Sequence, residues 1–583
     1  MNNKKNFYLP GLDGLRAVAI LVVFAYHLHA PWAQGGFIGV DIFFILSGYL
    51  ITSAILREWQ QTQSFDFKKF LYRRFKRLIP AVYFLIIVVV VYVLLFKPVI
   101  LHTLRGDALA SLFYSSNWWF IFHDVSYFDS FGAGSPLKNL WSLAIEEQFY
   151  FVWPIILLIL LKYCQNKKQL LGVVVVMIIL SISLMAWLFV PGSDPSRVYY
   201  GTDTRCFALL FGALLAIAIP TNRLLKPLPA TAVKTLNYIG LGAFTLLLIG
   251  VLTLSELSSF LYYGGFVLVA FLAMIAVFVS AHPLTIWSKI LATPPLHYFG
   301  TRSYSLYLWH YPVIILTTPI TAAGVFSPTR SLLQFSITLV LAELSFRYVE
   351  APIRQHGFKH VFRHFLPQQF KQTQPLLKSC FIALIVLFGI ALGNVMTIFE
   401  EPTPKPITTV KITQKASKKT PPTQTNKRSY QQYLFIGDSL AIDISDKLSK
   451  TLTPITIDGA IGRQMVEATI IAQHYRSFDT SKTAIFLALG TNGTFSQSAL
   501  DNVIKQFVNA HVYLVNTRVP RKWESAVNHL LAKTASKNKQ VSLINWYDTA
   551  ISHPEYFAPD GVHLEKSGIE AYVNLIEDSL SST

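Results

Sequence analysis

Charge is scarce in this 583-residue chain: only 14% of residues are Asp, Glu, Lys or Arg, methionine occurs six times and cysteine three. So little charge beside 52% hydrophobic residues and a mean hydropathy of +0.44 excludes a wholly soluble protein. Carboxylates are the scarcer sign, 31 against 50 Lys and Arg, which leaves a net charge of +19. Cys164, Cys206 and Cys380 all fall in or beside apolar runs, and nothing after Phe399 contains cysteine. A disulfide framework is therefore excluded for the C-terminal part. That fits a secreted domain supported by its own core or, equally, a cytosolic one, so cysteine does not fix the compartment.

What is present in abundance is long apolar sequence, and it stops abruptly near residue 399. Runs of about 17 to 25 residues with few charges predict about eleven membrane-spanning helices, near 15–32, 37–56, 78–96, 139–161, 171–190, 206–220, 237–254, 261–280, 304–320, 331–348 and 379–398. The first run follows Lys4 and Lys5 as a signal peptide would, but it carries internal charge and lacks a small-residue cleavage site, so it is read as retained. With a cytoplasmic N-terminus, the loops rich in Lys and Arg fall inside, among them those holding Arg73, Arg74, Arg77, Lys167 and Arg354. An odd number of spans then places the C-terminal domain outside the cell, a conclusion that one span more or fewer inverts.

Residues 399–430 are rich in Pro, Thr and Lys and read as a disordered linker with a reach on the order of 30 Å. Residues 431–583 alternate strand-like and helix-like stretches, which predicts an α/β domain with a parallel sheet. Its strand at Tyr433 to Ile436 runs into Gly437-Asp438-Ser439 and a helical pattern, a turn that lifts Ser439 to the end of a strand, beside a helix N-terminus. A second strand, Ala484 to Leu489, ends in Gly490-Thr491-Asn492, and Asp560-Gly561-Val562-His563 follows near the C-terminus. Each piece alone is weak, since such residues commonly serve as turns and caps.

Taken together and in this order, these motifs resemble the SGNH hydrolase family over about 150 residues. The resemblance implies Ser439 as nucleophile, His563 as general base and Asp560 as the residue that orients it. It also implies Gly462 in DGAIGRQ, Asn492 and the Ser439 amide as donors to a tetrahedral oxyanion. GDSLAIDI, LGTNGTF, NTRVPRKWE and DGVHL resemble more closely still the extracellular domains of peptidoglycan O-acetyltransferases. Arg518, Arg521 and Trp523 suit either glycan stacking or a structural loop.

The opening span, LDGLRAVAILVVFAYHLHA, places Arg16 and His27 eleven positions apart, about 16 Å along one helix face. Ionisable groups within a span are costly and usually face a protein interior or water, which makes the pair functional candidates. LDGLRA, GVDIFFILSGYLI, RRFKRLIP, LWSLAIEEQFYFVWP, SYSLYLWHYP and SFRYVEAPIR resemble, in order, the acyltransferase-3 membrane family over residues 7–355. That resemblance implies acyl transfer from cytosolic acyl-CoA to acceptors at or beyond the membrane. His27, Asp41 and Glu147 fall at a similar depth, which makes them acid–base candidates, although carboxylates there also cap or pin helices. Arg74 and Arg77, with Arg73 beside them, suit the phosphates of coenzyme A, and together with Arg16 are read as its binding set; positive-inside anchoring accounts for the same charges.

The combined expectation is an acetyltransferase with acetyl-CoA as donor, peptidoglycan glycan strands as acceptor and the lipid bilayer as its surroundings. No metal, permanently bound cofactor or nucleic-acid partner is expected. The alternatives are O-acetylation of another envelope polysaccharide, or a transporter fused to an esterase. The acetylated sugar, its hydroxyl and the oligomeric state are not fixed by the sequence.

Overall fold

The computed structural model describes residues 8–357, 409–413 and 430–581, apart from 124, 126, 128–134, 192–194, 221–223, 225–226, 257, 320–325, 461, 522 and 559–560. The expected eleventh span at 379–398 and most of the expected linker lie outside the described residues, as does Asp560.

The described residues up to 357 are mainly helical. Ten helices match the first ten expected spans: α1 (Pro10–His27), α2 (Gly39–Thr62), α3 (Phe67–Phe96), α4 (Leu140–Tyr163), α5 (Lys167–Leu188), α6 (Thr202–Ala218), α7 (Ala230–Thr253), α8 (Phe266–Ala281), α9 (Ser303–Thr317) and α10 (Pro328–Ser345). Among the described residues, eight helical segments are long and apolar enough to cross a membrane; α6 and α9, at 17 and 15 residues, are shorter. Spans α5, α7 and α10 are mostly uncovered by protein, as lipid-facing helices are, whereas α2 is largely buried.

Small residues set a close contact between two of these helices. A Cβ on Gly48 would sit 1.9 Å from the Leu209 carbonyl oxygen, and one on Gly212 would sit 2.1 Å from that of Ile45. Without side chains at these two positions the α2 and α6 backbones pack against each other directly. That approach brings Asp41 of α2 to Arg205 of α6: Arg205 Nη2 donates to Asp41 Oδ1 at 2.9 Å, with both side chains fully buried. The guanidinium also lies over Phe266 and Tyr199, 4.2 and 4.8 Å from their ring centres.

The C-terminal part is a six-stranded sheet in the order β1-β3-β2-β4-β5-β6. Its strands are β1 (Thr409–Thr413), β2 (Gln432–Gly437), β3 (Ile455–Ala460), β4 (Thr483–Ala488), β5 (His511–Val515) and β6 (Val541–Ile544). The last five are parallel and β1 is antiparallel to β3. Strand β1 corrects the expected linker: TVKIT alternates β-branched and polar residues and supplies an edge strand inside a stretch whose overall composition suggests only disorder.

Side chains alternate across this sheet as the period of two requires. Leu434, Ile436, Ile485, Leu487, Val512 and Leu514 enter one core, with α12 (Met465–His474), α13 (Gln497–Ile504) and α14 (Glu524–Lys537). Phe435, Ile457, Phe486, Tyr513 and Val515 enter the other, with α11 (Ser439–Thr451) and α15 (Lys566–Ser581). The α/β part thus owns two complete cores, one on each face. Its strand order reverses between β2 and β4, and ligands of open α/β sheets bind outside the carboxyl ends of the strands at such a point.

Candidate active site

The reversal point is where the sequence places its motifs. Strand β2 ends at Gly437 and α11 starts at Ser439, with Asp438 between them as N-cap: its carboxylate accepts the Leu440 N–H at 3.1 Å. The Asp438 N–H in turn donates to the Ala488 carbonyl at 3.2 Å, so the turn is fastened to the end of β4. Ser439 is buried to 5% exposure at the first residue of the helix, where the helix dipole favours negative charge.

Burial raises the Asp438 carboxyl to about 6, opposed by hydrogen bonds from Leu440 and Thr491 and by the charge of Arg463. Arg463 is itself buried. It donates to Asp458 Oδ1 at 2.6 Å, to the Asp458 carbonyl, and to the Gly437 carbonyl at 2.9 Å. The second Asp458 oxygen accepts from the Tyr475 hydroxyl at 2.7 Å. One ion pair therefore braces the end of β3 against the residue that precedes the serine turn.

Gly462 and Asn492 follow β3 and β4, the two neighbours of β2, so both reach the same edge as Ser439. Gly462 has φ +74°, a left-handed conformation that favours glycine at that point of the loop. Asn492 ties the two loops together: its side-chain amide donates to the Arg463 carbonyl at 3.3 Å, and its own carbonyl accepts from Gln464 at 3.1 Å.

His563 lies in a short loop closed by an antiparallel bridge between Phe557 and Leu564, and its carbonyl accepts the Ala558 N–H at 2.8 Å. The next residue is clamped to the serine helix, since the Leu564 N–H donates to Asp443 Oδ2 at 3.1 Å. Asp443 stands one helical turn beyond Ser439, on the same face. Sequence reasoning passed over Asp443; its only signal was the i+4 spacing.

Of the two readings of Trp523, glycan stacking or a structural role, the structure agrees with the second. The indole is buried in the core and donates to the Gly490 carbonyl at 3.3 Å. Arg518 stacks on Phe557 at 4.9 Å and reaches the Gly561 carbonyl at 3.5 Å, so it braces the histidine loop.

In the helical part, Arg16, Arg74 and Arg77 line one cavity, together with Glu146, Tyr150 and Tyr307. The Tyr150 hydroxyl lies 2.9 Å from both Glu146 Oε2 and Ser47 Oγ. Arg16 pairs with Asp13 at 3.2 Å. Two expectations shift here. Arg73 is half-exposed and pairs with Glu58 at 3.3 Å instead of joining the cavity lining. Glu146, not its neighbour Glu147, faces the cavity, because adjacent helix positions point about 100° apart.

His27 has different company from that expected. Its Nε2 lies 3.1 Å from the Tyr127 hydroxyl and its Nδ1 lies 3.0 Å from His310 Nε2. Asp41 is committed to Arg205 in the buried ion pair described above, a structural pin between α2 and α6. Among the described residues no cluster of three or more His, Cys, Asp or Glu suits a metal ion.

Comparison with known proteins gives a family, and relatives that match nearly the whole chain. The acyltransferase-3 family, described as an acyltransferase domain, matches residues 9–344. Peptidoglycan O-acetyltransferase OatA of Listeria monocytogenes is 45% identical, over 98% of this chain and 97% of that protein. O-acetyltransferase OatA of Staphylococcus aureus is 39% identical, over 99% and 96%. Among solved structures, the C-terminal catalytic domain of Streptococcus pneumoniae peptidoglycan O-acetyltransferase A, carrying a methylsulfonyl adduct, is 21% identical, covers 26% of this chain and 94% of that one, and has a TM-score of 0.23. With the family domain covering more than half of its length and relatives matching both of its parts, the chain belongs to the acyltransferase-3 family.

Proposed function

We propose that this protein takes acetyl from acetyl-CoA at the cytosolic side of its helical part and delivers it, through Ser439 on the outer side, to hydroxyl groups of peptidoglycan. The observation that carries the reading is the presence, in one chain, of a three-arginine cavity among the spans and a serine at the reversal point of an α/β sheet. The whole-length relatives named as O-acetyltransferases support it. So does the excess of Lys and Arg in the loops read as cytoplasmic, which together with an odd number of spans favours an outer α/β part.

The chemistry proposed at the outer site is acyl exchange. Ser439 Oγ gives its proton to His563 and attacks the acetyl carbonyl, and the resulting oxyanion is met by the Ser439 and Gly462 amides and the Asn492 side chain. Collapse breaks the bond to the leaving group, which takes the proton, and leaves acetyl-Ser439. A sugar hydroxyl then attacks that ester, with His563 taking its proton and returning it to Ser439. Asp560 is assigned the orienting role through the family resemblance. In the helical part, Arg16, Arg74 and Arg77 are proposed to hold the phosphates of coenzyme A, and His27 to act as base in the membrane step.

Mass spectrometry of wall fragments tests this directly. Cells with the protein should carry O-acetylated muropeptides that cells lacking it, or bearing Ser439→Ala, do not. Unchanged muropeptides with loss of acetyl from another envelope polymer would reassign the acceptor.

A further inference from the structure

Two histidines that lie 283 positions apart in sequence share a hydrogen bond inside the helical part, and the backbone fixes where their ring protons sit. His310 Nδ1 lies 2.7 Å from the Tyr307 carbonyl oxygen and 3.2 Å from that of Leu306. A carbonyl only accepts, so this nitrogen carries the proton. In a neutral imidazole the other nitrogen then holds a lone pair. That lone pair, on Nε2, faces His27 Nδ1 at 3.0 Å, so His27 Nδ1 is the donor in their shared bond. The same reasoning leaves the lone pair of His27 on Nε2, where it accepts from the Tyr127 hydroxyl at 3.1 Å. Three consecutive hydrogen bonds thus run one way, from hydroxyl to His27 to His310 to backbone.

We infer that His310 is a positioning residue for the membrane step: it holds His27 in the one tautomer and ring orientation that presents a basic Nε2 to a hydroxyl. The inference rests on the role proposed above for His27. A proton taken from a hydroxyl at that position ends on Nε2, and the electron pair of the broken O–H bond stays on oxygen as the nucleophile. His27 then carries a positive charge, and its Nδ1–H remains bonded to His310, so the ring neither turns nor exchanges tautomer during the transfer. A merely structural pair would need no such direction, since apolar groups of the same shape fill a buried site nearly as well.

Placement in the bundle fits the role. Helix α1 carries Arg16 on the cavity wall and His27 three turns beyond. Helix α9, packed against α1, carries Tyr307 on the same wall and His310 one turn further. His310 is fully buried, and the Tyr307 hydroxyl is fixed by Ser142 at 2.6 Å and by the Asn139 carbonyl at 3.0 Å. The carbonyl that sets the His310 proton therefore belongs to a residue that is itself held at the cavity.

The test uses the full-length protein in its own membrane. In His310→Gln the amide oxygen can accept from His27 while the amide N–H bonds to the backbone, and wall acetylation should stay within about tenfold of wild type. His310→Phe keeps the ring shape without an acceptor, and acetylation should fall roughly 10²- to 10⁴-fold at matched protein level. Retention by the Phe variant, or a Gln variant as inactive as Phe, overturns the inference. If the Phe variant does not accumulate, ¹⁵N spectra of ring-labelled wild-type protein decide, with His27 signals identified by their loss in His27→Gln. A protonated Nδ1 and an unprotonated Nε2 on His27 support the assignment, and the reverse pattern overturns it. These spectra read the tautomer whatever reaction the protein performs, so failure of the positioning role and failure of the proposed function remain distinguishable.

Discussion

The two parts of this chain handle buried polar groups in opposite ways. In the α/β part the polar groups of the candidate site gather at one edge of a sheet, placed by the ends of strands, and the strand order says where that edge is. In the helical part they are scattered along spans, and key pairs form between residues far apart in sequence, as Asp41 does with Arg205 and His27 with His310. The contrast teaches that a site built on strand ends announces itself locally, whereas a site built between helices exists only once the bundle has assembled.

The largest expected effect separates the two parts. Ser439→Ala should abolish wall O-acetylation, a loss of 10³-fold or more by order of magnitude. It should leave binding of acetyl-CoA to membranes intact. His27→Ala should give the same wall phenotype, yet residues 430–583 of that variant should still cleave small activated acetyl esters, because that part has its own cores on both faces. An α/β part silenced by His27→Ala would break the comparison.

Next in size is the pin between α2 and α6. Arg205→Leu strands a buried carboxylate and should cost about 3–5 kcal/mol, seen as loss of folded protein in membranes. The double variant Asp41→Leu/Arg205→Leu should recover much of that loss. If Asp41 acted as a base, the recovered double variant would still be inactive; as a pin, it should transfer acetyl.

The α/β part should also show a pH signature. Native Asp438 holds its proton up to about 6, above the ordinary carboxylate value of 3.8. Between about pH 4 and pH 6 the folded state therefore binds more protons than the unfolded one, and stability falls as pH rises through that window, by up to about 3 kcal/mol from this group. Asp438→Asn keeps the cap and should flatten this part of the unfolding curve. A stability that instead rises across the window in wild type, with no change in the variant, would mean Asp438 is ionised at little cost.

The smallest effect concerns the clamp on the histidine loop. Asp443→Ala removes the acceptor for the Leu564 N–H. Turnover of small esters should drop by about tenfold, about 1.5 kcal/mol, with little change in KM. An unchanged turnover would show that the loop holds His563 unaided.

Much of the α/β part was legible because turn chemistry and period-two patterning are local: Gly437-Asp438-Ser439 and Leu489-Gly490-Thr491-Asn492 mark strand ends by residue type. Strand β1 was not, since five residues inside a Pro-, Thr- and Lys-rich stretch become a strand only by pairing with β3. Trp523 stayed open between a glycan platform and a structural residue because sequence cannot tell a buried indole from an exposed one. In the helical part, the span positions followed from hydropathy, and the pairing of Arg74 with Arg77 followed from their i, i+3 spacing. The choice of Glu146 over Glu147 depends on helix rotation, and the partners of Asp41 and His27 depend on contacts 164 and 283 residues away, for which no local pattern exists.

The central claim is that a membrane step with His27 as its base must precede the arrival of acetyl at Ser439. Membranes oriented so that only the cytosolic face meets [¹⁴C]acetyl-CoA, followed by mapping of the labelled residue, test it most directly. The account predicts label on Ser439 in the wild-type protein and none there in His27→Ala at matched protein level. Label reaching Ser439 in the His27→Ala protein would contradict it.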